Sequence, residues 1–141
     1  MSASITEAHL EDVVLEYLTE EGWAVLLGPD LAPGEINSER ADYRDVILVA
    51  RLRAALAKLN PELPVDAIDD AVKTVLRAES QVVITENWRA YQLLTQGVPV
   101  QYRAADGATR DVRAHLIDWE GPSNNDLVAI NQYTIIGKSK R

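Results

Sequence analysis

At Gly97 the spacing of apolar residues changes from threes and fours to strict alternation, and this switch constrains the fold more than any other feature. Upstream, Leu10, Val13, Val14, Tyr17 and Leu18 recur at helical spacing and predict a helix over 6–20, ended by Gly22. Glu11, Asp12 and Glu16 fall outside its main apolar stripe. Trp23 to Leu27 reads as a short strand closed by Gly28-Pro29, and Asp30 to Asn37 as loop. Val46, Leu48, Val49, Leu52, Leu56 and Leu59 predict a second helix stopping at Asn60-Pro61. A third, capped by Asp66, carries Ile68, Val72, Val75 and Leu76, and a fourth runs from Thr85 to Leu94. Downstream, Val98, Val100 and Tyr102 alternate, Asp106-Gly107 supplies a turn, and Val112, Ala114 and Leu116 alternate again: a hairpin. Leu127 to Ile136 reads as a long strand, much of it buried. Helix, strand, helices, then strands is a mixed α/β order.

With 141 residues the chain has room for one domain with a real core. Hydrophobic residues at 47% and charged residues at 26% suit a globular protein rather than a disordered one. No apolar run approaches the ~18 residues of a membrane span. The start resembles no secretory signal, and the absence of cysteine excludes disulfides and thiolate metal sites. A cytoplasmic protein is the expectation. A net charge of -8 disfavours an autonomous nucleic-acid binder, since phosphate binding draws on clustered Lys and Arg. The charge is uneven: 16 acids against 7 bases in residues 1–80, but 6 against 7 in 81–141, with Lys138, Lys140 and Arg141 at the tail. Any DNA path is expected near the C-terminal part.

No Walker A loop, dinucleotide glycine fingerprint, HExxH or serine elbow occurs. His9 and His115, the only histidines, read as structural or surface residues. On a helical wheel Glu7 lies nearer the apolar stripe than Glu11, three positions before Leu10 and seven before Val14. A carboxylate there either complements the helix dipole in the first turn or serves a partner or metal. Trp23 and Trp119 are expected in the core. Asn124-Asn125-Asp126 reads as a polar turn, whose oxygens could also ligate a hard cation.

Four blocks carry a family resemblance. The first is Thr6-Glu7-Ala8-His9-Leu10-Glu11 with Gly22-Trp23 and Gly28-Pro29-Asp30-Leu31-Ala32-Pro33 behind it. The second is Tyr43-Arg44-Asp45-Val46-Ile47-Leu48 with Arg51-Leu52-Arg53-Ala54-Ala55-Leu56 and Leu59-Asn60-Pro61. The third runs from Leu93 to Arg103; the fourth joins Leu116-Ile117-Asp118-Trp119, Asn124-Asn125-Asp126-Leu127-Val128 and Asn131-Gln132-Tyr133-Thr134-Ile135. In this order and spacing they resemble the N-terminal region of the R subunit of type I restriction-modification enzymes, over essentially the whole chain.

The resemblance implies a large ATP-dependent motor and endonuclease that assembles with methylation and specificity subunits, translocates DNA, and cleaves unmethylated foreign DNA. Its nuclease domain is of the PD-(D/E)xK type, with magnesium held by an Asp after a proline and by the Glu of an E-x-K motif. The sequence departs from that pattern. The single Pro-Asp pair, Pro29-Asp30, belongs to the first block, and no Glu-x-Lys follows the last strand. The expectation is therefore an α/β, incomplete restriction-endonuclease-like single domain over 1–141, cut off before its catalytic strands. Nuclease and ATPase activity are not expected of this fragment alone. By the resemblance, Glu7 matches the acid opening the N-terminal block and is the candidate peripheral metal-site acid. An alternative is a non-enzymatic module docking on the methylation and specificity subunits. An open sheet edge beside Ile130 to Ile136 would favour self-association.

Overall fold

The computed structural model describes residues 5–137, so the basic tail Lys138, Lys140 and Arg141 lies outside the described residues. The chain divides into two compact units, one formed by residues up to Leu48 together with those from Asp126 onward, the other by Val49–Asn125. Among the described residues, two small sheets and four α-helices make the class α/β, as expected.

In the first unit, helix α1 spans Glu7–Glu20. It starts where Thr6 takes extended backbone and its Oγ1 accepts from the His9 N–H at 3.3 Å. Gly22, at φ 89°, turns the chain out. Strand β1, Ala24–Leu27, pairs in parallel with β4, Val128–Asn131, in the register Ala24↔Val128 to Leu27↔Asn131. Helix α1 packs on both strands. Of the apolar stripe its periodicity suggests, Leu18 turns inward and the other four residues do not. Glu11, Leu15 and Leu18 are half-buried, whereas Leu10, Val13, Val14 and Tyr17 stand 48–61% exposed.

β4 is also shorter than its composition suggests. It stops at Asn131 because β1 has run out at Leu27, and Gln132 turns away at φ 57°. Ile135 and Ile136, expected to be buried strand residues, are about half exposed. Residues 133–136 attach instead to the loop before the second helix: the Ile136 N–H donates to the Tyr43 carbonyl at 3.0 Å, and the Tyr133 hydroxyl to the Asp45 and Val46 carbonyls at 3.3 Å each.

In the second unit, α2 spans Val49–Leu59, α3 Val65–Leu76 and α4 Val83–Gln96, followed by the antiparallel hairpin of β2, Val98–Arg103, and β3, Thr109–Ala114. α2 begins three residues later than Val46, where apolar spacing predicts it. Asp42 and Asp45 side chains take the Arg44 and Asp42 N–H groups, at 2.8 and 3.1 Å, and hold that stretch as a turn. Asp66 does not cap α3. Pro64 does, its carbonyl accepting from Ala67 and Ile68, and Asp66 lies in the first turn. The core joins Leu56 of α2, Ala67, Ile68, Ala71 and Val72 of α3, Leu93 of α4, and Val98, Val100 and Ala114 of the hairpin. Trp119 is not part of it. Its ring is 61% exposed, held by its indole N–H donating to the Leu94 carbonyl at 3.2 Å, while Trp23, in the first unit, is half-buried.

Candidate functional site

In open parallel sheets, ligands bind beyond the carboxyl ends of the strands, because the turns there are free to carry polar groups. In the first unit that end is built by three pieces: Gly28 leaving β1, Gln132 leaving β4, and Glu11 on α1. Gly28 is required. A Cβ on it would sit 2.1 Å from the Gln132 carbonyl oxygen, so no larger residue lets the two chain exits approach this closely.

Gln132 is a non-glycine residue in left-handed backbone, a sparsely populated conformation that neighbouring contacts must hold. That turn aims its side chain at α1. Its Nε2 donates to both carboxylate oxygens of Glu11, at 3.1 and 3.2 Å. The pair leaves the carboxylate anchored on one side with lone pairs to spare on the other. Asp30 follows in the 3-10 turn Gly28–Leu31 after β1, beside a shallow cleft of about 400 Å³ lined by Leu26, Leu27, Asp30, Leu31, Ile36 and Ser38.

Glu7, the acid singled out from the sequence, sits exposed in the first turn of α1. It lies one helical turn before Glu11, on the continuation of the packing line Glu11, Leu15, Leu18. Glu11 is the acid that the fold brings to the strand ends. The wheel did not single it out, because apolar spacing marks the stripe through Leu10 and Val14 and the helix packs elsewhere.

A magnesium ion asks for an octahedral set of oxygen ligands. Among the described residues no group of three acids or histidines is close enough to hold a metal ion. The acids in place do not by themselves fit a complete magnesium site.

The other sequence candidates have structural work. The Asn124 amide donates to Asp118 Oδ2 at 2.9 Å; Asn125 accepts from the Asp118 N–H at 2.8 Å and donates to the Asp118 and Pro122 carbonyls. Asp118 Oδ1 accepts from the Gly121 and Glu120 N–H groups. These bonds, the Asn124 amide first, hold the Asp118 carboxyl below the usual carboxylate range. Both asparagines are spent on closing the turn. His9 serves the α1 cap through its N–H, and His115 meets buried Asn60 through its backbone.

Comparison with known proteins places the chain. The family model for the type I restriction enzyme R protein N terminus matches residues 4–141. The chain belongs to this family. It is 35% identical over 131 residues to the type I restriction enzyme HindI endonuclease subunit of Haemophilus influenzae, covering 93% of this chain and 12% of that protein. It is 29% identical over 136 residues to the putative type I restriction enzyme MjaIXP endonuclease subunit of Methanocaldococcus jannaschii, covering 95% of this chain and 13% of that one. The chain thus spans about an eighth of the length of these curated relatives. No solved structure matches it. These residues are the N-terminal region of a type I R subunit.

Proposed function

We propose that this region forms the opening part of a PD-(D/E)xK-type nuclease domain, in an enzyme that cleaves unmethylated DNA with ATP-driven translocation. Its partners are DNA and the methylation and specificity subunits, and it works in the cytoplasm. Magnesium and ATP are the cofactors of the whole enzyme; the chain's own contribution to the metal site is peripheral. The observation that carries the reading is the Glu11–Gln132 pair, a first-helix acid held at the carboxyl ends of a parallel strand pair. Glu7, one turn earlier, is the outer acid of the same helix line. The names of the relatives as endonuclease subunits support the same assignment. The 141 residues hold no Glu-x-Lys, so the hydrolytic centre draws its remaining groups from elsewhere in the enzyme.

The test uses the chain alone and an assembled enzyme. Incubated with magnesium and plasmid, the chain leaves DNA intact. In the assembled enzyme, Glu11→Gln lowers cleavage while ATP hydrolysis persists. Cleavage at the parental rate in that variant defeats the reading.

A second reading, a module docking on the methylation and specificity subunits without chemistry of its own, is favoured by one observation: the apolar stripe Leu10, Val13, Val14 and Tyr17 on the outer face of α1. Capture of those subunits by the chain, abolished by Val13→Glu, supports it; no capture removes it.

A further inference from the structure

Arg40 is 6% exposed, and among the described residues it forms no ion pair with an acid. Its guanidinium lies 3.9 Å from the centre of the Tyr133 ring and 5.3 Å from that of Tyr43. Its Nη2 donates to the Thr134 carbonyl at 2.6 Å and its Nη1 to the Asp45 carbonyl at 3.3 Å, while Nε, also buried, has no hydrogen-bond partner among the described residues. A buried cation held by carbonyls and rings alone is a poor way to gain stability, because an apolar side chain of similar volume would avoid the desolvation cost.

What this arrangement secures is the backbone on the far side of Gln132. On the near side, Asn131 is fixed by its pairing with Leu27. On the far side, Tyr133 lies under the guanidinium and Thr134 is tied to it. An unfavourable conformation such as φ 57° at Gln132 persists only when both flanks are fixed. The same conformation aims the Gln132 amide at Glu11.

We infer that Arg40 is a positioning residue: it clamps Tyr133 and Thr134 so that Gln132 stays in its left-handed turn and holds the Glu11 carboxylate. Lysine cannot substitute, because an ammonium has no flat face to lay on Tyr133 while reaching two carbonyls. Any consequence for cleavage rests on the nuclease reading above; the clamp itself does not.

The isotope-labelled, metal-free chain tests it by NMR. The Gln132 side-chain amide signals are assigned by their loss in Gln132→Ala, and Glu11→Ala gives their position when the acceptor is removed. Arg40→Lys and Arg40→Met are both expected to shift the Gln132 amide away from its parental position toward that of a free glutamine, while the backbone amides of β1 and β4 keep theirs. Parental Gln132 signals in both variants overturn the inference. So does collapse of the β1 and β4 amides in both, which makes Arg40 a general folding residue. Cleavage by an assembled Glu11→Gln enzyme reports separately: full activity there defeats the nuclease reading and leaves the clamp standing.

Discussion

The side chain of Asn60 and the backbone of His115 form a closed two-way pair: Oδ1 accepts from the His115 N–H at 2.7 Å while Nδ2 donates to the His115 carbonyl at 2.9 Å. The same Nδ2 also donates to the Leu56 carbonyl at 2.8 Å, so one buried amide closes the end of α2 and pins it to the chain leaving β3. Asn60 is 1% exposed, so nothing from solvent replaces it. Asn60→Ala leaves the His115 N–H and carbonyl short of partners, while the Leu56 carbonyl keeps the Asn60 backbone N–H at 3.0 Å, and is expected to cost about 2 kcal/mol, at 1–3 kcal/mol per unmet buried group. Denaturant unfolding of parent and variant measures this; a loss below about 1 kcal/mol contradicts it.

Gly28 carries a second prediction. Its absent Cβ leaves room for the Gln132 carbonyl, and a methyl at 2.1 Å cannot be accommodated without moving the backbone. Gly28→Ala is expected to cost about 2 kcal/mol, the ordinary scale of overpacking. The damage belongs at the strand ends, so hydrogen exchange at Leu27 and Asn131 accelerates before the hairpin of the second unit is affected. Uniform exchange across both units would show that Gly28 acts elsewhere.

These two examples also mark what was legible beforehand. Features decided by neighbours a few positions away were readable: the Thr6 start of α1, its exit at Gly22, the end of α4 at Gly97, and the hairpin around Asp106-Gly107. Features decided by distant partners were not. Glu11 and Gln132 are 121 positions apart, and nothing in helical periodicity says that a glutamine will reach the acid off the apolar stripe. β4 read as a strand to Ile136 because its composition continues, but a strand lasts only as long as its partner, and β1 is four residues long. Arg40 carried no signal at all as a lone arginine in a loop; its role needs both tyrosines in place.

Acid should weaken both carboxylate-centred turns of the second unit. Glu86 accepts from Arg89 Nε and from the Glu79 and Ser80 N–H groups, and the Arg89 bond first, then those N–H groups, hold its carboxyl below the usual range, against the opposing effect of burial. Asp118 is lowered by its own turn. A group whose folded pKa is lowered stabilises fully above its unfolded pKa, and that contribution fades as pH falls through the folded value. Parent and Asp118→Asn should therefore differ most near neutral pH, and the difference should shrink on acidification to about pH 3. Glu86→Gln should behave in the same way. Unfolding curves at several pH values check this, and a difference that grows toward acid has the wrong sign.

The two stripes of α1 make opposite predictions about its packing. If Glu11, Leu15 and Leu18 face the strands, Leu15→Ala removes contacts that water does not replace and is expected to cost about 1–2 kcal/mol, less than a fully buried leucine because Leu15 is only half-buried. Leu10 is 57% exposed, so Leu10→Ala should stay within about 0.5 kcal/mol in the isolated chain. Unfolding measurements on the isolated chain decide between the stripes, because the periodicity of the sequence alone orders the two variants the other way. Repeating the pair in the assembled enzyme adds the functional dimension. If Leu10, Val13, Val14 and Tyr17 are a docking face, Leu10→Ala becomes costly only there, as weaker capture of the methylation and specificity subunits; unchanged capture leaves the stripe without a partner among them.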